Sequence, residues 1–419
     1  MKTADQSPGS EQIETVIVGG GQAGLALSFL LTQQGREHVV LEKREQVGAT
    51  WRQRWDSFTL VTPNWTLRLP GHYYEEGDSD GFLARDNVVT YLERYAASFD
   101  PPLQFGVEVT AVTHKADDSG YLVHTDDRTY EAQNVVVATG TFQKPKIPAA
   151  SQGLSPSITR LHSNDYSNPQ ALPDGAVLVV GGGQSGCQIA QELKESGRRV
   201  YLSVGSAGRL PRHYRGRDGM WWADRLGLFD QTVDKLSSPE ERFEANPQVS
   251  GKNDGCDINL HEFAREGINL LGRLEAAREK RVALGHNLHE SLAKADKTAA
   301  EFRKAIDKYV RETGLNAPPE EVHEPQDGYN QEIVTSLDLD EAGISTVLWA
   351  TGYRWDYGWV KLPIFDDYGY PQQQRGVTPY PGLYFLGLHF LHTRKSCLFY
   401  GVGDDAQYIA AHIDRRMNR

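Results

Sequence analysis

Glu14-Thr15-Val16-Ile17-Val18-Gly19-Gly20-Gly21-Gln22-Ala23-Gly24, followed eighteen residues later by Glu42, decides how the rest of the chain is read. Thr15 to Val18 is an apolar, β-branched run suited to a strand buried on both faces. It stops at three glycines spaced GxGxxG: Gly19, Gly21 and Gly24. The first allows a tight turn, the second lets backbone approach a pyrophosphate, and the third lets the next helix lie close to the strand. Leu25, Leu27, Phe29, Leu30 and Leu31 carry that helix toward a capping glycine, Gly35, so its free N-terminal amides face the phosphates. Val39-Val40-Leu41 predicts a second strand. Glu42 at its end is placed to accept hydrogen bonds from both hydroxyls of an adenosine ribose, which disfavours a 2′-phosphate there.

The pattern repeats. Ala176-Val177-Leu178-Val179-Val180 leads into Gly181-Gly182-Gly183-Gln184-Ser185-Gly186, and Gly186 and Gly197 stand eleven residues apart, as Gly24 and Gly35 do. A second cradle with the same internal offset is far more specific than either alone. The copies differ at one telling place: eighteen residues after Gly186 stands Val204 where the first has Glu42. With the carboxylate gone and Arg209, Arg212, Arg215 and Arg217 in the following loop, the second site favours a ribose bearing a 2′-phosphate, hence NADP. A plainer use for these arginines is to solvate the loop or to meet Asp218 and Asp224.

Composition narrows the field. The 419 residues carry 24% charged and 39% hydrophobic side chains, ordinary for a folded protein of two domains or one elaborated domain. A net charge of −12 with one local basic cluster, Arg209 to Arg217, argues against nucleic acid as a partner. No run approaches the ~20 apolar residues of a membrane helix. Met1 to Glu11 is polar and without an apolar core, which reads as a tail and not a signal peptide. Three scattered cysteines, Cys187, Cys256 and Cys397, fit a reducing cytoplasm without disulfides. No metal site is expected.

Between and after the cradles, Trp51 and Arg52 lie in a stretch too aromatic and charged for a linker. They read as an indole against a cofactor ring and a guanidinium near phosphate, or more plainly as a surface loop with buried tryptophans. Asn87 to Ala97 predicts an amphipathic helix. Val107 to Thr113, Tyr121 to Thr125 and Arg128 to Glu131 predict a small antiparallel β meander, and Asn134 to Val137 a buried strand ending at Ala138-Thr139-Gly140. Met220 to Pro325 is charged and helical in pattern. Within it Leu288, Leu292, Ala295, Ala299, Phe302, Ile306 and Tyr309 form one apolar stripe, read as core or as a helix seam. Thr346 to Tyr353 reads as the chain's return to the first domain, Gly382 to Gly387 as a further strand, and Gly401 as the start of a last helix reaching Ile413. The expected architecture is α/β: two Rossmann-like dinucleotide-binding domains with the meander and a helical insertion. Residues 12–148 form the first part of one domain, 149–335 the other with its insertion at about 218–325, and 336–419 the return. The insertion has two readings, a substrate entrance or a homodimer contact.

Two in-register cradles, Ala138-Thr139-Gly140 and Ala350-Thr351-Gly352-Tyr353 together resemble the class B flavin-dependent monooxygenases, in particular flavin-containing monooxygenases, YUCCA-type enzymes and their bacterial relatives. His162 and Tyr166 match the second half of that family's FxGxxxHxxx[FY] fingerprint, whereas Pro156 and Ile158 stand where Phe and Gly belong. The resemblance implies FAD in the first cradle, contacted by Gly19, Gly21, Gln22, Ala23, Gly24, Glu42, Lys43, Trp51, Arg52, Val109, Ala138, Thr139 and Gly140. It implies NADP in the second, contacted by Gly181, Gly183, Gln184, Ser185, Gly186, Arg209 and Arg212, and Thr351 and Gly352 are further cofactor contacts where the chain returns to the first domain. Asn64 stands near the family's flavin-contacting asparagine, with Pro63 intervening, and reads either as a catalytic contact or as a solvated turn asparagine; apart from the resemblance, His392, with Arg394 and Lys395, reads either as a residue near the chemistry or as packing of the loop before the last helix. The implied activity is NADPH-driven reduction of flavin, whose C4a-hydroperoxide then oxygenates a small organic substrate at N, S or carbon. An NADPH oxidase or dehydrogenase shares every motif up to oxygen transfer. A disulfide reductase would need a close cysteine pair, and a colourless dinucleotide sensor would need no flavin chemistry at all.

Overall fold

The computed structural model describes residues 10–244 and 246–418. In chain order, β1 (Ser10–Val18), α1 (Gln22–Gln33) and β2 (His38–Glu42) build the first βαβ unit, and α2 (Arg85–Ala97) packs beside it. β3 (Leu103–Phe105), β4 (Val109–His114), β5 (Tyr121–Thr125) and β6 (Thr129–Val137) complete a sheet ordered β3-β2-β1-β6-β5-β4. Ser10 and Glu11, expected in a tail, pair in parallel with Thr129 and Tyr130, and Met1 to residue 9 lie outside the described residues.

The meander and the buried strand after it turn out to share one strand. β6 runs unbroken through Glu131 and Asn134, parallel to β1 along its length and antiparallel to β5 over its first half. Nothing in Ala132-Gln133 interrupts extended backbone, so one strand serves both a polar, half-open edge and a fully buried core.

The second sheet is all parallel. β7 (Thr159–His162), β8 (Ala176–Val180), α3 (Gln184–Glu195), β9 (Val200–Ser203) and β10 (Asn269–Leu271) precede an antiparallel trio, β11 (Leu274–Arg278), β12 (Arg281–Leu284) and β13 (Ser336–Asp338). The region expected to be a helical insertion therefore contributes β10, which pairs with β9, and two strands of the trio. Besides short helices at Gly219–Arg225 and Leu260–Arg265, its long helix is α4 (Leu288–Thr313), capped by Gly314 in the left-handed region and burying Leu288, Leu292, Ala295, Ala299, Phe302 and Ile306 as the stripe predicts.

β14 (Ile344–Trp349) corrects the expected point of return. It lies between β7 and β8 in the second sheet, so the chain crosses back only after Trp349. β15 (Leu383–Phe385) then joins the second half of β6, and α5 (Val402–Met417) packs on α1. A strand of alternating β-branched and large apolar residues suits either sheet equally, so local pattern cannot choose between them. Among the described residues no helix is long and apolar enough to cross a membrane.

Candidate functional site

The two cradles are near copies in geometry. Gly19 and Gly181 adopt φ of 110° and 120°, which a side chain would strain. A Cβ on Gly24 would sit 1.9 Å from the Gly19 carbonyl oxygen, and one on Gly186 would sit 1.8 Å from that of Gly181. Both helices touch their strands too closely for any side chain. Gly21 and Gly183 instead have nothing within 4 Å of a Cβ position. They stand at the N-caps of α1 and α3, where no side chain caps the helix and no acid lies in the first turn. Free first-turn amides with an open approach suit a pyrophosphate, so both cradles fit the nucleotide that the spacing predicts. Gln22 and Ala23 open α1, and Gln184 and Ser185 open α3; Gln184 Nε2 donates to the Pro247 carbonyl.

Ala138-Thr139-Gly140 and Ala350-Thr351-Gly352 divide between the cradles. Ala138 lies against Gly19 and Ala350 against Gly181. The second motif thus belongs to the second unit, which tertiary pairing alone reveals. Beyond each motif the chain crosses between units, and the crossings pair as Lys144–Pro145 with Tyr353–Arg354. His162, at the end of β7, bonds the Gly352 carbonyl through Nε2 at 3.0 Å, and Thr351 Oγ1 donates to the Lys146 carbonyl at 2.5 Å. Tyr166 donates to Glu192 at 2.8 Å. The half-fingerprint thus pins the crossing and one flank of α3.

At the first cradle, Glu42 accepts from the backbone amides of Gly20 (2.7 Å) and Arg44 (2.9 Å), which fixes its carboxylate at the end of β2 with lone pairs to spare for a ribose. Lys43 beside it is exposed, and Val109 opens β4 in a buried position. Trp51 donates its indole N–H to Gln22 Oε1 at 3.2 Å and stacks on Phe399 at 5.5 Å. Arg52 is held by Glu93 instead of facing the cradle, because α2 brings that carboxylate alongside. Asn64 is buried, and its Nδ2 donates to the Asp78 carbonyl. Its Oδ1 is a buried acceptor with no protein donor, an arrangement that suits a ligand N–H or O–H.

Sequence reading passed over His389. Its Nδ1 lies 3.6 Å from Cys397 Sγ, and the Cys397 carbonyl accepts from Gln22 Nε2 at 2.9 Å, so this histidine is two contacts from the start of α1. His392 is half-buried, and its backbone carbonyl accepts from Val233 of the second unit. Burial, helped by Arg394 and Arg242, pushes His389 down to about 4, and burial likewise lowers His38, His72 and His162. These rings bind fewer protons folded than unfolded, so stability present above pH 6.5 is lost as pH falls through their lowered folded values, which for His389 extends the window to about 4. Each contributes at most about 1.4 kcal/mol per pH unit. Urea unfolding at pH 7, 6 and 5 should show falling midpoints, with a shallower fall in His389→Gln; a flat profile refutes the assignment.

The second cradle corrects the expected phosphate contacts. Arg209 is 3% and Arg212 1% exposed. Arg209 pairs with Glu324 at 2.8 Å and Asp296 at 3.4 Å, and Arg212 with Asp218 at 2.7 Å. The plainer reading of these arginines therefore holds for Arg212, and carboxylates brought in from α4 and beyond consume Arg209. Unpaired cations stand elsewhere. Exposed Arg273 and Lys294 line a cavity of about 320 Å³ with Ser206, His286, Asn287 and Glu290. Ser206 lies two residues beyond Val204, whose Cβ is 3.2 Å from a Cβ on Gly182. That is where a ribose 2′-position falls in this fold.

Residues 16–216 match the pyridine nucleotide-disulphide oxidoreductase family. A CzcO-like uncharacterised oxidoreductase of Geobacillus kaustophilus is 33% identical over 96% of this chain and 98% of its own. The indole-3-pyruvate monooxygenase YUCCA1 of Oryza sativa is 30% identical over 51% of this chain and 54% of its own. In shape the chain is similar to a flavin-containing monooxygenase from Stenotrophomonas maltophilia, with TM-score 0.65 and 19% identity over 97% and 99% of the two chains. Cys187, Cys256 and Cys397 are all free thiols. With its paired cradles and crossings the chain has the two-domain fold of the flavin-containing monooxygenases, and by its relatives it belongs to the CzcO-like oxidoreductases.

Proposed function

We propose that this oxidoreductase is an NADPH-dependent monooxygenase that places one oxygen atom on a small organic molecule. The observation that carries the reading is the asymmetry of two otherwise matched cradles, Glu42 in one and Val204 in the other, joined by paired crossings that direct both nucleotides to one seam. Bound FAD supplies electron transfer and oxygen activation, and NADPH supplies the reducing equivalents. The amides of α1 and α3 hold the pyrophosphates, and Glu42 takes the FAD ribose. Arg273 and Lys294 take the 2′-phosphate. Asn64 Oδ1 accepts a hydrogen bond from the flavin side, and Trp51 stacked on Phe399 keeps water from it.

Removing the ribose clamp should show directly. Glu42→Ala is expected to weaken FAD retention by roughly 1–3 kcal/mol, the scale of leaving buried polar partners unmet. Flavin content after dilution and gel filtration measures it, and content equal to the parent refutes the ribose role.

Oxygen transfer is tested with labelled gas. The purified yellow protein is bleached anaerobically by NADPH and by NADH in parallel, then turned over under ¹⁸O₂ with sulfides, amines, indoles and carboxylates. Label in an organic product, and faster bleaching by NADPH, are the expected results. Peroxide equal to NADPH consumed, with no labelled product from any substrate, overturns the monooxygenase reading in favour of an oxidase.

A further inference from the structure

The segment from Phe229 to Phe243 crosses from the second unit onto the loop that precedes α5. Thr232 and Thr393 form an antiparallel bridge, Val233 N–H donates to the His392 carbonyl, and Arg394 N–H donates to that of Gln231. At its far end Phe243 packs on Trp355, Tyr368 and Tyr370 of the first unit. This strap closes one side of the seam with aromatic rings.

The strap and the loop it covers also carry two half-buried guanidiniums with no carboxylate bonded to them, although Glu241 acts on Arg394 from a distance. Arg242 lies over the Tyr370 ring at 4.4 Å and Arg394 over the Phe390 ring at 5.0 Å. The Nε of each is buried without an acceptor. Arg394 bonds only the neutral amide of Gln231, at 2.8 Å, and neither arginine has a carboxylate oxygen within 4 Å among the described residues. Glu241 is the nearest acid in sequence, but its carboxylate is turned to the Ser237 amide at 2.6 Å. Arg36, Arg209, Arg212, Arg215 and Arg375, also shielded, each have their acid. Half-buried Arg54, Arg198 and Arg416 also have no carboxylate within 4 Å, but among the described residues only Arg242 and Arg394 combine that lack with a buried, unmet Nε. Tyr370, under Arg242, donates its hydroxyl to the His389 carbonyl at 3.1 Å, and the Phe390 ring, under Arg394, lies 4.9 Å from the His389 ring, which puts both guanidiniums on the His389–Cys397–Gln22 side of the seam, toward the first cradle. Arg242 further lines a cavity of about 200 Å³ with Val233, Leu236 and Ser238.

Two like charges partly withdrawn from water and left unpaired are costly unless a ligand supplies the counter-charge. Guanidiniums backed by aromatic rings present their remaining N–H groups as a fork suited to a carboxylate, while the rings favour a flat apolar body. We propose that Arg242 and Arg394 form the recognition site for an aromatic carboxylate substrate, held at the seam between strap and flavin. The assignment rests on the flavoprotein reading above and adds the substrate's charge to it.

The test titrates the purified holoprotein with benzoate and phenylacetate, and with benzamide and phenylacetamide as uncharged controls, by calorimetry and by flavin difference absorbance. The carboxylates are expected to bind and perturb the flavin spectrum, and the amides to bind at least ten-fold more weakly. Arg242→Gln and Arg394→Gln should each lower carboxylate affinity roughly ten- to a hundred-fold, with amide binding unchanged. Thermal melting guards against misfolding: carboxylate should raise the melting temperature of the parent and not of the double variant, whose cooperative unfolding transition without ligand shows that it is folded. Equal affinity for acids and amides, or full carboxylate affinity in folded variants, overturns the proposal. Loss of the carboxylate heat on saturation with NADP, together with variants that lose NADP binding, would assign the arginines to the dinucleotide and overturn it as well. A protein that lacks flavin yet binds carboxylates through these arginines would instead sink the flavoprotein reading alone.

Discussion

Gly24→Ala is expected to yield a protein that purifies without yellow colour and unfolds earlier than the parent, whereas Gly21→Ala should lose flavin affinity and keep its stability. The two glycines are three residues apart and both belong to the fingerprint, but they meet different neighbours. A methyl on Gly24 overlaps the Gly19 carbonyl oxygen at 1.9 Å, so α1 must lift from β1 and the turn that holds the pyrophosphate moves with it. Overpacking of this kind costs typically 1–3 kcal/mol and occasionally more, and here it adds to the loss of the site. A methyl on Gly21 meets no protein atom within 4 Å, and its φ of −78° is open to any residue, so it obstructs only what lies outside. Gly186→Ala supplies the matching control in the second cradle: the protein should stay yellow and fail to bind NADP. Denaturant midpoints and flavin content separate the three. Normal flavin in Gly24→Ala, or lost flavin in Gly186→Ala, would show that the cradles have been assigned to the wrong nucleotides.

Arg212→Ala should be the most destabilising single change in the second unit while leaving the NADP to NAD preference where it was. Arg212 is buried, its Nε donates to Asp218, its Nη1 to the Val61 carbonyl at 2.7 Å, and its guanidinium covers the Phe82 ring at 4.2 Å. It therefore ties the second unit to the Val61 and Phe82 loops of the first. Taking one partner from a buried ion pair costs roughly 3–5 kcal/mol because the other charge is left without compensation. Equilibrium unfolding and dissociation constants for the two nucleotides measure both halves of the expectation. A selective loss of NADP affinity at unchanged stability would return Arg212 to the phosphate.

Arg212 also marks where sequence ceases to decide. Steric demands at Gly19, Gly24, Gly181 and Gly186 arise within a few residues, so the spacing alone determined both cradles and the helices behind them. The apolar stripe of Leu288 to Ile306 was legible for the same reason, since helical periodicity is local. The tertiary structure decided the rest. Which sheet receives β14 depends on neighbours drawn from distant parts of the chain. The fate of an arginine depends on which carboxylate folding brings to it: Asp296 meets Arg209 across 87 residues and Glu324 across 115. Charge pairing falls off with distance in space and carries no trace of spacing along the chain, so a basic loop that looked like a phosphate site became interior ion pairs. By the same physics, that Arg242 and Arg394 have no acid beside them emerged only once strap and loop had met.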